Sequence, residues 1–372
     1  MNHPTVAPIR TAIVGAGNIA TLHHLPALRA HAAETELVAV VDVDLVRAEA
    51  FAREAGIPAA FSDLRAMLEG VNPDLVVVCT PPVAHREAVI AALDAGAWVW
   101  CEKPPALSLA EYDEMAAHEG AAGPYVSYVF QHRFGSAAQR LREHIASGEL
   151  GEPLVGICHT LWFRDDAYYE VPWRGQWSTE GGGPTMGHGI HQMDLLLHVL
   201  GDWEEVRAMS GTLARDIETE DASFAAVRFA SGAIVSVVNS ILSPRETSYL
   251  RFDFRDATVE VEHLYGYSNS DWRWTPAPGV DPARARAWAP EKDLASSHTA
   301  QLAQLIAAYH DHRRPTASGE DGRRVLDLTA ALYASAATGR AVHRGDITPE
   351  SPFYATMSGD RSAIAGAEVI GA

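Results

Sequence analysis

The sequence predicts an α/β protein of two domains: a doubly wound parallel sheet, then a domain built on one large, mostly antiparallel sheet. Up to about Pro124, short β-branched runs alternate with Ala-rich helical stretches, the pattern of a parallel sheet covered on both faces. A glycine-rich turn, Gly15-Ala16-Gly17-Asn18-Ile19-Ala20, joins the first strand to the first helix. Past Tyr125 strands succeed one another with few helices between them, which favours antiparallel pairing. Two domains suit a chain of 372 residues, and an apolar fraction of 47% can supply both cores. The expected division is 1–124 and 125–372.

In the first domain, strands are expected from Thr11 to Val14, Leu37 to Asp42, Leu75 to Cys79, Trp98 to Cys101 and Tyr125 to Tyr128. Helices are expected from Ile19 to His31, Val46 to Ala55, Asp63 to Glu69, Ala84 to Ala95 and Leu109 to His118, with Gly56, Gly70 and Gly96 as stops. In the second, a helix from Phe134 to Ser147 precedes strands from Leu154 to Phe163, Glu205 to Leu213, Ala222 to Phe229, Ala233 to Ile241, Tyr249 to Arg255 and Ala257 to His263. A helix from Gly189 to Leu200 interrupts that run, and amphipathic helices from Ser297 to His312 and Gly322 to Gly339 close the chain. The Pro-, Trp- and Ala-rich tract from Ser268 to Asp293 reads as irregular.

Charge and composition exclude several functions. A net charge of −19 argues against nucleic acid or an anionic membrane as partner, since both require a cationic footprint. Apolar runs such as Leu75 to Cys79 are far shorter than the roughly 20 residues that span a bilayer. The polar start Met1-Asn2-His3-Pro4 has neither the charged region nor the apolar core of a signal peptide, so a cytoplasmic location is expected. Cys79, Cys101 and Cys158 are widely spaced and read as reduced and structural. The 17 histidines are scattered and His188-x-x-His191 lacks the Glu of a zincin helix, so no metal is expected.

The turn at Gly15 fits a dinucleotide fingerprint. Gly15 permits the tight exit from the strand, Gly17 admits a pyrophosphate, Ala20 allows close helix packing, and the helix N-terminus at Asn18-Ile19 offers N–H groups to the anion. Asp42 ends the next strand 25 residues after Gly17, placed to accept hydrogen bonds from a ribose diol. That carboxylate would repel a 2′-phosphate, which favours NAD over NADP. Thr80-Pro81 follows the strand at Leu75, on the edge where open α/β sheets bind ligands.

Two further stretches bear on chemistry: Cys101-Glu102-Lys103-Pro104-Pro105, and the run from Gly181-Gly182-Gly183 to Gly187-His188-Gly189-Ile190-His191. They supply a cation and a proton carrier. Oxidising a secondary alcohol removes a hydride from carbon and a proton from oxygen, so it requires a base and a group that stabilises the developing alkoxide. Lys103 suits the second task, and His191, with an ordinary pKa near 6.5, suits the first. Trp173-Arg174-Gly175-Gln176-Trp177 offers indoles and a guanidinium to a sugar or cyclitol, and Arg174 is alternatively placed to touch the cofactor.

Taken together, Gly15 to Ala20, Thr80-Pro81-x-x-x-His85, Glu102-Lys103-Pro104, Gln131-His132-Arg133-Phe134, Trp173-Arg174, the triple glycine, Gly189-x-His191-x-x-Asp194 and Gly319-Glu320-Asp321-Gly322-Arg323 resemble the Gfo/Idh/MocA oxidoreductases nearly end to end. The resemblance implies an N-terminal Rossmann domain and a C-terminal α/β domain whose open sheet forms a homodimer or homotetramer interface. It also implies that Lys103 and His191 are catalytic, that Glu102 and Thr80 lie near the nicotinamide ribose, and that Pro81 and His85 belong to the cofactor site. Asp194 reads as a structural hydrogen-bonding residue. The implied activity is NAD-dependent oxidation or reduction at a secondary hydroxyl of a sugar, cyclitol or polyol. Two alternatives stay open: a glycosidase using NAD for transient oxidation, and an NAD-sensing regulator. One position departs from the family pattern, which has Asp four residues before the histidine; here it is Gly187. His188 swinging inward, or a substrate group filling the space, would account for it.

Overall fold

The computed structural model describes residues 7–359, so the polar start at Met1 to Pro4 lies outside it. The described chain forms two compact units that are discontinuous in sequence. The first holds the residues up to Ala106, Tyr112–Val129 and His298–Gly322; the second holds Leu107–Glu111, Phe130–Ser297 and the chain from Arg323.

The first unit carries strands β1 (Ile9–Val14), β2 (Thr35–Val41), β3 (Ala60–Phe61), β4 (Leu75–Val78), β5 (Trp98–Cys101) and β6 (Val126–Tyr128). They form one sheet in the order β3-β2-β1-β4-β5-β6, with every neighbouring pair parallel. β4 and β5 are buried at every position, which is why they read as continuous apolar runs instead of alternating ones. The order reverses between β1 and β4, so the carboxyl ends of neighbouring strands deliver Gly15, Asp42, Thr80 and Glu102-Lys103 to one edge, the switch point where doubly wound sheets bind ligands.

The helix after Gly15 starts as a π-helical turn, Ala20–His24, before continuing as Leu25–Ala30. Asp44 and Asp63 cap the next two helices, Leu45–Ala55 and Leu64–Val71, through their carboxylates. The first of these stops at Gly56 in the left-handed region. The second runs through Gly70, the expected stop, and ends on Asn72, whose short polar side chain also tolerates that region. Ile13, Val40, Val77 and Trp100 pack in one core with Leu302, Leu305 and Ile306 from the helix His298–His310.

The second unit is built on strands β7 (Pro153–Phe163), β8 (Trp203–Gly211), β9 (Ala222–Phe229), β10 (Ile234–Ser240), β11 (Leu242–Phe254), β12 (Ala257–Glu262), β13 (Trp272–Pro276) and β14 (Val342–His343). The sheet order is β13-β12-β11-β7-β10-β9-β8-β14; β7 and β10 pair parallel and the other pairs are antiparallel. The tract expected to be irregular, Ser268 to Asp293, thus contains edge strand β13 and a short helix, Pro282–Arg286. Pro276 ends that strand, and proline is tolerated only at such edges.

The helix Ile190–Leu200 packs against β7 and is buried along most of its length. On the outward face of this sheet, Ile234 lies opposite Val155, and both Met209 and Val238 lie opposite Phe224. Met209 is 74% exposed and Phe224 51%, so this apolar face is open in the single chain. No helix among the described residues is long and apolar enough to cross a membrane.

Candidate functional site

At the edge of the first sheet, Gly15 has φ +97°, and a Cβ there would lie 2.8 Å from the backbone carbonyl carbon and oxygen of Cys79. Only glycine fits so close an approach of the exits of β1 and β4. Gly17, by contrast, faces open space, since a Cβ there would meet nothing within 4 Å. Asn18 is exposed and Ile19 half-buried beside it. The Ala16 N–H donates to Asp42 Oδ2 at 3.0 Å and the Asp44 N–H to Oδ1 at 3.0 Å, which fixes a nearly buried carboxylate while leaving each oxygen a lone pair. The Arg47 guanidinium lies 3.6 Å from Asp42. Thr80 Oγ1 is buried without a hydrogen-bond partner among the described residues.

An orphaned hydroxyl, an open glycine turn and an oriented carboxylate fit a dinucleotide with a free ribose diol. Asp42→Ala is expected to raise KM for NAD by about 10- to 100-fold, the worth of hydrogen bonds to a charged acceptor, with kcat changed far less. Steady-state kinetics with varied NAD measure it.

His85 is buried, with Nδ1 2.9 Å from the Pro104 carbonyl and Nε2 3.0 Å from that of Thr80. Burial pushes its pKa below the usual value, against the pull of the two carbonyls. The ring ties the Thr80-Pro81 turn after β4 to the turn after β5, where half-buried Lys103 stands.

Glu102 is the centre of a cluster that sequence reasoning does not reveal. His24 Nε2 lies 2.7 Å from its Oε1, His298 Nε2 lies 3.3 Å from the same oxygen, and the Lys103 N–H donates to Oε2 at 3.2 Å. Burial alone would raise the Glu102 pKa, but the hydrogen bonds from His24 and His298 prevail and hold it well below the usual carboxylate range. Burial also lowers the pKa of His298, so the group is an ionised carboxylate with a neutral imidazole donating to it. His24, Glu102 and His298 place ligand atoms within 4.8 Å of one another, a set able to hold a metal ion, at a place where none was expected. The hydrogen bonds satisfy the carboxylate as they stand.

In the second unit, Gly183 and Thr185 donate their N–H groups to the buried carboxylate of Glu220, which anchors the triple-glycine segment. Gly189 is required by close approach, because a Cβ there would lie 1.9 Å from Asn239 Oδ1. His191 is 2% exposed, and its ring meets those of His132 and Tyr265 edge-on, each at 5.4 Å. His188 is buried too, its ring edge-on to Trp162 at 5.1 Å and its Nε2 3.4 Å from the Tyr168 hydroxyl. The Arg174 guanidinium stacks 3.5 Å over the Tyr168 ring and 5.1 Å from that of half-buried Trp173, and its buried Nε has no hydrogen-bond partner among the described residues. Tyr168 thus joins His188 to Arg174, and neither it nor Tyr265 carries a sequence signal.

Asp194 and Arg133, both buried, form a two-pronged ion pair, with Arg133 Nε 2.6 Å from Oδ2 and Nη2 on Oδ1. It pins the Gln131–Phe134 turn to the helix that bears His191. Asp194→Ala leaves that guanidinium buried without its carboxylate, an expected cost of about 3–5 kcal/mol read as a fall in Tm.

Two family models match the chain. One, described as the oxidoreductase family, NAD-binding Rossmann fold, covers residues 9–130; the other, the GFO/IDH/MocA C-terminal domain, covers residues 138–262. D-glucoside 3-dehydrogenase of Escherichia coli (strain K12) is 31% identical over 91% of this chain and 98% of its own length. The 1,5-anhydro-D-fructose reductase of Ensifer adhaerens is 29% identical over 89% and 97%. Among solved structures, the WlbA dehydrogenase of Bordetella pertussis in complex with NADH and UDP-GlcNAcA superimposes with a TM-score of 0.81 at 28% identity, covering 91% of this chain and 99% of that one.

Proposed function

The chain belongs to the Gfo/Idh/MocA family of NAD-binding oxidoreductases, and on that premise we propose that it oxidises one secondary hydroxyl of a sugar, cyclitol or related polyol, or reduces the corresponding ketone. His191 is the acid/base and Lys103 the electrostatic stabiliser. The observation that supports this best is the delivery of Lys103, at the end of β5, to the sheet edge that also carries the glycine turn, Asp42 and Thr80. The relatives' names point to sugars as well: a D-glucoside dehydrogenase and a 1,5-anhydro-D-fructose reductase.

When bound, NAD supplies the acceptor for the hydride that leaves the alcohol carbon. His191 takes the hydroxyl proton, and the Lys103 ammonium lowers the energy of the alkoxide as it forms; in reduction His191 returns the proton. Glu102, kept ionised by His24 and His298, sets a fixed negative charge next to Lys103 in the chain. Trp173, Arg174, Tyr168 and His188 present the stacked, hydrogen-bonding surface that a polyhydroxylated ring requires. The test is turnover of a panel of neutral sugars, glycosides and cyclitols with NAD. NADH formation with at least one member is expected; aglycone release without net NADH, or NAD binding that no panel member perturbs, would reject the reading.

A second copy of the chain covers the open sheet face around Met209, Phe224 and Ile234. Light scattering is expected to show at least a dimer, and Phe224→Glu to shift it to monomer; a monomeric parent chain would contradict this.

A further inference from the structure

We propose that His24, Glu102 and His298 form a binding site for one divalent transition-metal ion of the zinc class, which fastens the helix His298–His310 to the sheet edge of the first unit. The proposal is independent of the dehydrogenase reading above.

Two imidazole nitrogens and one carboxylate oxygen converge here, with His24 Nε2 2.7 Å and His298 Nε2 3.3 Å from Glu102 Oε1 and the three ligand atoms within 4.8 Å of one another. Donors bound to one zinc ion at about 2.0–2.2 Å stand roughly 3.0–3.5 Å apart, so the present separations bracket those that a single ion requires. In the chain without metal the two hydrogen bonds satisfy the carboxylate; an ion replaces both. Imidazole ligands suit zinc, cobalt, nickel or iron(II), whereas one carboxylate is too few for the oxygen shell that magnesium or calcium demands. Three protein ligands leave a further position to water.

Each ligand is buried, and each comes from a different element: His24 from the π-helical turn Ala20–His24, Glu102 from the exit of β5, and His298 from the start of its helix. Turns of this kind are rare and are found mostly at functional sites. Here the turn sets the adjacent rings of His23 and His24 both against His298, the first stacked at 4.9 Å and the second edge-on at 5.0 Å. Buried Trp100 meets the His24 ring edge-on at 4.4 Å and fixes its plane.

A second observation does not depend on those hydrogen bonds. His24 Nδ1 is buried and has no hydrogen-bond partner among the described residues. Donation to Glu102 keeps the ring proton on Nε2, whereas a metal requires the Nε2 lone pair and the proton on Nδ1. Nothing is bonded at Nδ1, so the exchange of tautomer breaks no other bond there. Glu102 and His298 are also 196 positions apart. A clip across so long a loop restricts the unfolded chain, and an ion held only by the folded chain raises its stability.

The full-length protein, stripped of metal with a chelator and dialysed, is titrated with zinc(II) by calorimetry and with cobalt(II) followed by its visible absorption. One ion per chain is expected, with nitrogen and oxygen ligation in the cobalt spectrum and Tm raised by about 5 °C or more at about 100-fold excess over Kd. His24→Gln and His298→Gln are each expected to weaken binding by about 100-fold or more and to abolish the Tm rise. His310→Gln and His312→Gln, exposed at and just beyond the end of the same helix, are expected to change neither. Glu102→Gln keeps the shape of the side chain without its charge, and it decides the matter if a histidine variant fails to fold. Parental binding in the variants of the three ligands, or a parent chain that holds no ion, would overturn the proposal and leave the dehydrogenase reading intact. A chain that binds the ion as described but oxidises no sugar would overturn that reading and leave the metal site standing.

Discussion

Replacing His191 by Gln is expected to lower kcat by about 10²–10⁴-fold, the usual contribution of a positioned acid/base, while the affinity for NAD stays within a factor of two or three. The histidine is buried, and its ring lies edge-on to His132 and Tyr265, so a side chain of similar reach keeps the helix in place and isolates the proton-transfer role. NADH binding followed by fluorescence, alongside sugar turnover, separates the two effects. Unchanged turnover would assign the base elsewhere. His132 would then be the alternative, being the ring that touches His191 and shares its neighbour Tyr265.

The second large effect belongs to Lys103. Lys103→Met removes the charge and keeps the length, and an expected loss of about 10²–10³-fold in kcat follows from deleting one preorganised electrostatic donor at a developing alkoxide. Because the Lys103 N–H donates to Glu102 from the backbone, the variant retains that bond and the cluster with His24 and His298. A rise in KM for NAD with kcat preserved would instead make Lys103 a cofactor-binding residue, and full activity would remove it from the mechanism.

Much of the first unit was legible because its signals are local. Gly15, Gly17 and Asp42 sit at fixed offsets from strand ends, and β4 and β5 are too apolar to be anything but doubly covered strands. The second unit yielded most of its strands for the same reason, the strand Ala222–Phe229 alternating buried and exposed from Ser223 onward. Hidden were arrangements that depend on long-range return of the chain. The helix His298–His310 joins the first unit's core, yet nothing in an amphipathic pattern says which core it serves. His24 and His298 reach Glu102 across 78 and 196 positions, a separation no motif spans.

The gap at Gly187 shows the same limit on a smaller scale. The missing side chain is visible in the sequence, but Glu180, whose Oε1 lies 3.4 Å from where a Cβ at Gly187 would stand, is set beyond three glycines whose backbone path decides where its carboxylate goes. Tyr168, which links His188 to Arg174, stands in a short turn with no periodicity to mark it. Strand β13 was hidden by its proline and its edge position, where pairing on one side relaxes the usual pattern.

The most direct test of the central claim is isotope transfer. The protein is incubated with NAD and a substrate-panel sugar deuterated at its ring carbons, and the reduced cofactor and the sugar are examined by mass spectrometry. One deuterium carried into the cofactor for each ketosugar formed, abolished together with turnover in the His191→Gln variant, is the predicted result. Sugar product formed with no deuterated cofactor accumulating, or deuterium transfer at the parental rate without His191, would contradict it.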